Sequence, residues 1–79
     1  SAQFQSESFI SVYPNPVSDA LIIDGINELY DIEIFDIHGK KIMSDYKVNT
    51  LKLNSLSTGI YLLKVFDDSS THNFKIVKD

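Results

Sequence analysis

Cysteine, tryptophan and arginine are absent from the 79 residues, and only two prolines and three glycines are present. Without cysteine the chain can form no disulfide, thiolate metal site or cysteine nucleophile, so packing and hydrogen bonding must stabilise it. A chain of this length is one small domain with a marginal core. No apolar run approaches the roughly 18–20 residues of a transmembrane helix. Residues 1–8 are polar and lack the basic start and apolar core of a signal peptide.

The charge balance and the apolar residues that are present indicate the class of protein. Seven lysines stand against eleven acidic residues, for a net charge of −4. This balance argues against a nucleic-acid partner, because such binding depends on clustered cations that neutralise phosphates. Ten isoleucines, five valines and nine Phe and Tyr residues outnumber two alanines. β-Branched and aromatic side chains favour a pleated sheet over helices.

Seven short segments are predicted to be strands, with turn residues between them at roughly ten-residue spacing. The clearest is Tyr30–Phe35, where apolar and acidic residues alternate with a period of two. Gly39 stands where a type I turn with a bulge needs positive φ, so the third and fourth strands should form a hairpin. The predicted strands are Phe9–Tyr13, Ala20–Ile23, Tyr30–Phe35, Lys40–Met43, Leu51–Leu53, Ile60–Phe66 and Thr71–Val77.

This pattern predicts an all-β fold, an immunoglobulin-like antiparallel β-sandwich of about seven short strands. The likeness is architectural, since the immunoglobulin Cys–Trp–Cys signature is absent. The sixth strand is apolar on both faces, which is typical of a central or covered strand. Leu56 is expected to plug a loop under the sheet edge. Exposed edge strands leave open the pairing of two copies into a dimer.

Few residues suit catalysis or metal binding. His38 and His72 fall in predicted turns or strand starts, where they are interpreted as solvated. Asp67 and Asp68 form the one adjacent acidic pair, a weak calcium candidate that lacks the EF-hand pattern. Phosphate-binding, dinucleotide and zinc-protease motifs are absent. The chain is therefore predicted to be no enzyme, with no catalytic residue, no cofactor and no metal.

The tyrosines bear on a second function, a non-catalytic adhesive or carbohydrate-binding β-sandwich of a surface protein. Such a module would present aromatic rings on one exposed face. Tyr13, Tyr30 and Tyr61 fall in predicted strands, where sheet packing explains them. Tyr46, in a polar stretch, is the one expected to be exposed. This alternative stays open at the level of the sequence.

Four segments, in order, resemble one known family. Val12–Ile23 contains YPNP followed by LII, and Ile34–Ile42 contains the D..GKK hairpin. Leu53–Val65 contains L..L..G.Y...V, and Lys75–Val77 gives a closing K.V. Together they are similar to the type IX (Por) secretion system C-terminal sorting domain, over nearly the whole chain. The family motif maps onto Pro14, Asn15, Pro16, Gly39, Lys40, Gly59, Tyr61, Val65, Lys75 and Val77.

The resemblance implies a secretion signal of Bacteroidetes bacteria that directs a cargo protein across the outer membrane. It implies outer-membrane translocon and shuttle proteins as partners, and a sortase-like cysteine peptidase that cleaves the preceding linker. Residues 1–8 would be the linker from an upstream cargo domain, and residues 9–79 the sorting domain. The cargo would pass through the periplasm to the cell surface or the medium. Lys64, Lys75 and Lys78 are the candidate translocon contacts.

Overall fold

A computed structural model describes residues 10–25, 30–67 and 70–79. Residues 1–8 and Phe9, predicted as linker and strand start, lie outside these ranges. Within the ranges, no helix has the length and apolarity needed to cross a membrane. The strands are β1 (Ser11–Tyr13), β2 (Ala20–Asp24), β3 (Asp31–Phe35), β4 (Lys41–Tyr46), β5 (Thr50–Lys52), β6 (Gly59–Phe66) and β7 (Thr71–Lys78).

The strands form two sheets, and every pairing within them is antiparallel. One sheet has three strands in the order β1-β2-β5, and the other has four in the order β4-β3-β6-β7. In an immunoglobulin constant domain the fourth strand belongs to the sheet that contains the first two strands. Here β4 pairs with β3 in the other sheet, so the sheet that contains β1 and β2 has three strands. The predicted all-β sandwich with about seven strands is confirmed.

The core lies between the two sheets and draws on both. Leu21 and Ile23 of β2 belong to the same buried cluster as Ile32 and Ile34 of β3 and Leu63 of β6. Alternation along each strand places these side chains inward, because successive residues of a strand point to opposite faces. Leu56 is half-buried and packs against this cluster, as predicted.

Three sequence predictions about strands and their side chains need correction. Strand β4 continues through the polar residues 44–46, beyond its predicted end at Met43, because the partner strand β3 extends alongside to Asp31. Tyr13 is 45% exposed rather than packed, whereas Tyr46 is exposed as predicted. Strand β6 is central, as predicted, but its second face is open: Ile60 is 48% exposed and Leu62 is 37% exposed.

Candidate recognition site

The segment Pro14–Pro16 connects the three-stranded sheet to the edge of β7. Both prolines follow cis peptide bonds. Between them, the Asn15 side chain lies against the β7 backbone. Its Nδ2 donates to the carbonyl of Lys75 at 2.9 Å, and its Oδ1 accepts from the amide of Val77 at 2.9 Å. A side-chain amide thus occupies the place of a neighbouring strand, an arrangement we call the Asn15 clasp.

Backbone contacts continue the same closure beyond the clasp. The Val17 amide donates to the Val77 carbonyl at 2.8 Å, and the Asp79 amide donates to the Val17 carbonyl at 2.8 Å. Val17 is fully buried, in parallel pairing with Lys78. The C-terminal half of the β7 edge is therefore covered, which blunts it as a template for another strand.

The motif residues Gly39 and Lys40 belong to the β3–β4 turn. Gly39 has φ +86°, as predicted, and its amide donates to the Asp36 carbonyl at 3.1 Å. Asp36 Oδ1 accepts the amides of His38 at 2.8 Å and Lys40 at 3.0 Å. The Lys40 hydrogen bond is the main cause that holds the pKa of Asp36 below its usual value. His38 is exposed, as predicted.

The motif residues Gly59 and Tyr61 shape the entry to β6. Gly59 has φ +156°, a backbone conformation that residues with a side chain rarely adopt. Apart from its chain neighbours, no atom lies within 4 Å of the position that a Cβ would take, so the backbone conformation favours glycine and steric crowding does not. The Tyr61 hydroxyl donates to the Ser57 carbonyl at 2.7 Å. This bond to backbone four residues upstream is a tyrosine corner, a recurrent feature of immunoglobulin-like sandwiches. Val65, further along β6, is fully buried in the core.

A groove of about 470 Å³ opens on the outer face of the four-stranded sheet. Phe35, Leu62 and Lys75 stand in register across β3, β6 and β7 and form its floor. Lys64 Nζ lies 5.2 Å from the centroid of the Phe35 ring. Two of the three predicted contact lysines, Lys64 and Lys75, therefore line one groove.

The third, Lys78, lies apart from that groove. It shares the inward face of β7 with Ile76, and only 7% of its surface is exposed. Its Nζ donates to the main-chain oxygen of Asp79 at 3.2 Å. A contact residue needs accessible surface, so the structure argues against Lys78 in that role. The alternation of β7 residues, read to the end of the strand, could have signalled this orientation.

His72 is not the solvated side chain that the sequence predicted. It is half-buried, and its Nε2 lies 2.9 Å from Asp67 Oδ2. The same carboxylate accepts the Ser70 amide at 2.7 Å through Oδ1, and the Asp67 amide donates to the Ser70 carbonyl at 3.0 Å. The pair thus closes the β6–β7 turn, and this turn geometry accounts for the short contact without a catalytic role.

Two further predictions concern metal and aromatic sites. In residues 10–25, 30–67 and 70–79 no group of three or more potential metal ligands occurs. Asp68, the second member of the predicted calcium pair, lies outside those ranges. The two exposed tyrosines stand on different sheets, Tyr13 in β1 and Tyr46 in β4. They therefore do not share one flat aromatic face.

A known protein family matches most of the chain. The model of the secretion system C-terminal sorting domain matches residues 11–79, which is nearly all of the described fold. A comparison with curated proteins gives no match. Sorting domains of this kind are signal domains, generally non-catalytic, that imply interaction with the secretion machinery and export across the outer membrane. The chain belongs to the secretion system C-terminal sorting domain family, whose members carry the sorting signal of type IX secretion.

Proposed function

We propose that this domain is recognised in its folded state by the translocon and shuttle proteins of type IX secretion, and that it directs an upstream cargo across the outer membrane. The observation that carries the proposal is the family match over residues 11–79. Cargo would reach this step from the periplasm and end at the cell surface or in the medium.

The structure supports recognition of a folded domain rather than of a linear peptide. The motif residues are distant in sequence but close in space. Asn15 bonds to Lys75 and Val77, and Gly39, Tyr61 and Lys75 line one groove. A receptor that contacts these residues at the same time must bind the folded β-sandwich, because they lie far apart in an extended chain.

Cleavage belongs to the same proposal. We place it in residues 1–8, the polar segment before the domain, where a sortase-like cysteine peptidase would release residues 9–79. Peptidases prefer exposed, extended segments, and the polar composition of residues 1–8 is typical of a linker between domains. The described fold has its first strand at Ser11, so cleavage upstream of residue 9 would leave the β-sandwich whole.

The export experiment fuses residues 1–79 to a periplasmic reporter in a bacterium that has type IX secretion. The reporter should reach the surface or medium, and the same reporter without the domain should remain in the periplasm. An Ile32→Asp variant is the unfolded control, because it buries a charge in the core. If the wild-type fusion stays periplasmic, or the unfolded variant is exported equally well, the proposal is wrong.

Cleavage needs its own measurement. Mass spectrometry of the exported reporter should find its new C-terminus within residues 1–8, and a host without the sortase-like peptidase should yield the uncut fusion. A reporter that retains residues 9–79 in both hosts would contradict the cleavage step while leaving export intact.

Two expectations remain beside this proposal. The carbohydrate-binding alternative predicts measurable affinity for a polysaccharide, and a flat titration across a polysaccharide panel would remove it. Pairing of two copies through the open edge of β4 predicts a dimer in sedimentation. A monomer at working concentration would remove that expectation.

A further inference from the structure

The outer face of the four-stranded sheet carries apolar side chains that the fold leaves open. Ile60 and Leu62 are 48% and 37% exposed, and Ile37 in the adjoining turn is 72% exposed. Single exposed apolar residues are ordinary on a protein surface. These three, however, line one groove together with Phe35, so the apolar surface is contiguous.

Lysines flank the same apolar surface. Lys75 stands directly opposite Leu62, and Lys64 stands opposite Asn73. Lys64 and Lys75 are therefore diagonal neighbours across β6 and β7, a relation that typically places two Cα atoms roughly 7–8 Å apart. Among the described residues that line the groove, Asp36 is acidic, and the hydrogen bonds that its Oδ1 accepts do not remove its charge. Two lysines against one carboxylate leave the groove lining with a net charge of +1, on a chain whose net charge is −4.

Glu33 stands opposite Lys64 on the neighbouring strand, and its Oε2 lies 3.4 Å from Lys41 Nζ.

We propose that this groove, formed by Phe35, Ile60, Leu62, Lys64 and Lys75, docks a segment of the secretion machinery that carries Asp or Glu beside apolar residues. The inference rests on the proposed export function and names the surface that serves it. Apolar partner side chains pack on Ile60 and Leu62, and partner carboxylates pair with Lys64 and Lys75. Charge complementarity selects the partner, and the apolar contacts supply much of the affinity.

Two other ligand classes fit the groove less well. Anionic lipid surfaces are recognised by clusters of about four to eight cations, whereas this groove has two lysines on an acidic chain. Sugars stack on open aromatic faces, but the Lys64 ammonium group lies over the Phe35 ring, 5.2 Å from its centroid. An acidic protein segment is the occupant that both the charge and the exposed aliphatic groups favour.

The export assay tests the groove with matched substitutions in the reporter fusion. Leu62→Thr is paired with Ile22→Thr, because both side chains are 37% exposed on outward sheet faces. Lys75→Glu is paired with Lys52→Glu, another exposed strand lysine on the opposite sheet. Each groove variant should lower the exported fraction at least about tenfold, as truncation of a central contact does. Each control should stay within about twofold of wild type.

The outcomes separate this inference from the proposed function. If the wild-type fusion is not exported, the export function itself fails. If the wild type and the folded groove variants are exported alike, or the controls fall equally, the groove is not the docking site. Denaturation midpoints equal to wild type establish that a variant has kept its fold.

Partner chemistry is tested by a photo-crosslinking residue in place of Leu62, with Ile22 as the matched position. Mass spectrometry should map the Leu62 crosslink to an Asp- or Glu-containing segment of an outer-membrane secretion protein, absent from the Ile22 sample. A segment without acidic residues would overturn the proposal. Binding of the domain to phosphatidylglycerol vesicles that Lys75→Glu abolishes would overturn it in favour of a lipid.

Discussion

Replacing Asn15 with alanine removes the two hydrogen bonds that the clasp makes with β7, to the Lys75 carbonyl and the Val77 amide. A hydrogen bond contributes about 0.5–1.5 kcal/mol net to stability. Since Asn15 is exposed, water replaces part of what is lost. We therefore expect the free energy of unfolding to fall by about 1–2 kcal/mol. At about 4–8 °C per kcal/mol in a domain of this size, Tm should fall by about 4–16 °C.

Amide hydrogen exchange tests whether this loss is local to the clasp. The Val77 amide should lose protection in Asn15→Ala beyond the change in global stability. The Ile23 amide, which donates to the Asn49 carbonyl at 2.9 Å in the other sheet, reports the global change alone. Asn54→Ala, at an exposed turn asparagine, is the matched control and should leave both amides unchanged. Equal exchange at Val77 in Asn15→Ala and wild type would refute the reasoning.

A second substitution tests the donor and acceptor roles separately. Asn15→Asp keeps an acceptor for the Val77 amide but sets a carboxylate oxygen against the Lys75 carbonyl. At neutral pH it should destabilise at least as much as the alanine variant. Below about pH 4 the carboxyl group is protonated and can donate again, so the defect relative to wild type should shrink. A defect independent of pH would contradict the assigned roles.

Three further predictions concern two tyrosine hydroxyls and the β3–β4 turn. Tyr61→Phe should lower the free energy of unfolding by about 1 kcal/mol through loss of the tyrosine-corner bond, whereas Tyr46→Phe in denaturant titration should not. Gly39→Ala should cost roughly 1–2 kcal/mol in the same titration, because φ +86° is strained for an L side chain; Gly39→Asn should cost less, and equal losses would count against that reason. Burial raises the pKa of Tyr30 above its usual 10.0, so the unfolded chain loses this proton first and stability should fall as pH rises past about 10. Tyr30→Phe should flatten that decline while losing the hydrogen bond to the Val48 carbonyl, and an unchanged slope would refute it.

The sequence alone determined the elements whose signals are local. The period-two alternation of Tyr30–Phe35 predicted β3 and its buried face, because one strand must turn alternate side chains inward. Gly39 predicted the hairpin, since few residues adopt positive φ. The ordered motifs predicted the family, and the match over residues 11–79 confirms it. These inferences succeed because each depends on neighbours a few positions apart.

Tertiary structure decided what depends on residues far apart in the chain. The Asn15 clasp joins residues separated by 60 and 62 positions, and no local pattern encodes that partner. The convergence of Lys64 and Lys75 on one groove follows from strand order and register. The two sheets bury one face of each strand and leave the other to water, so only their assembly determines which side chains a partner can reach.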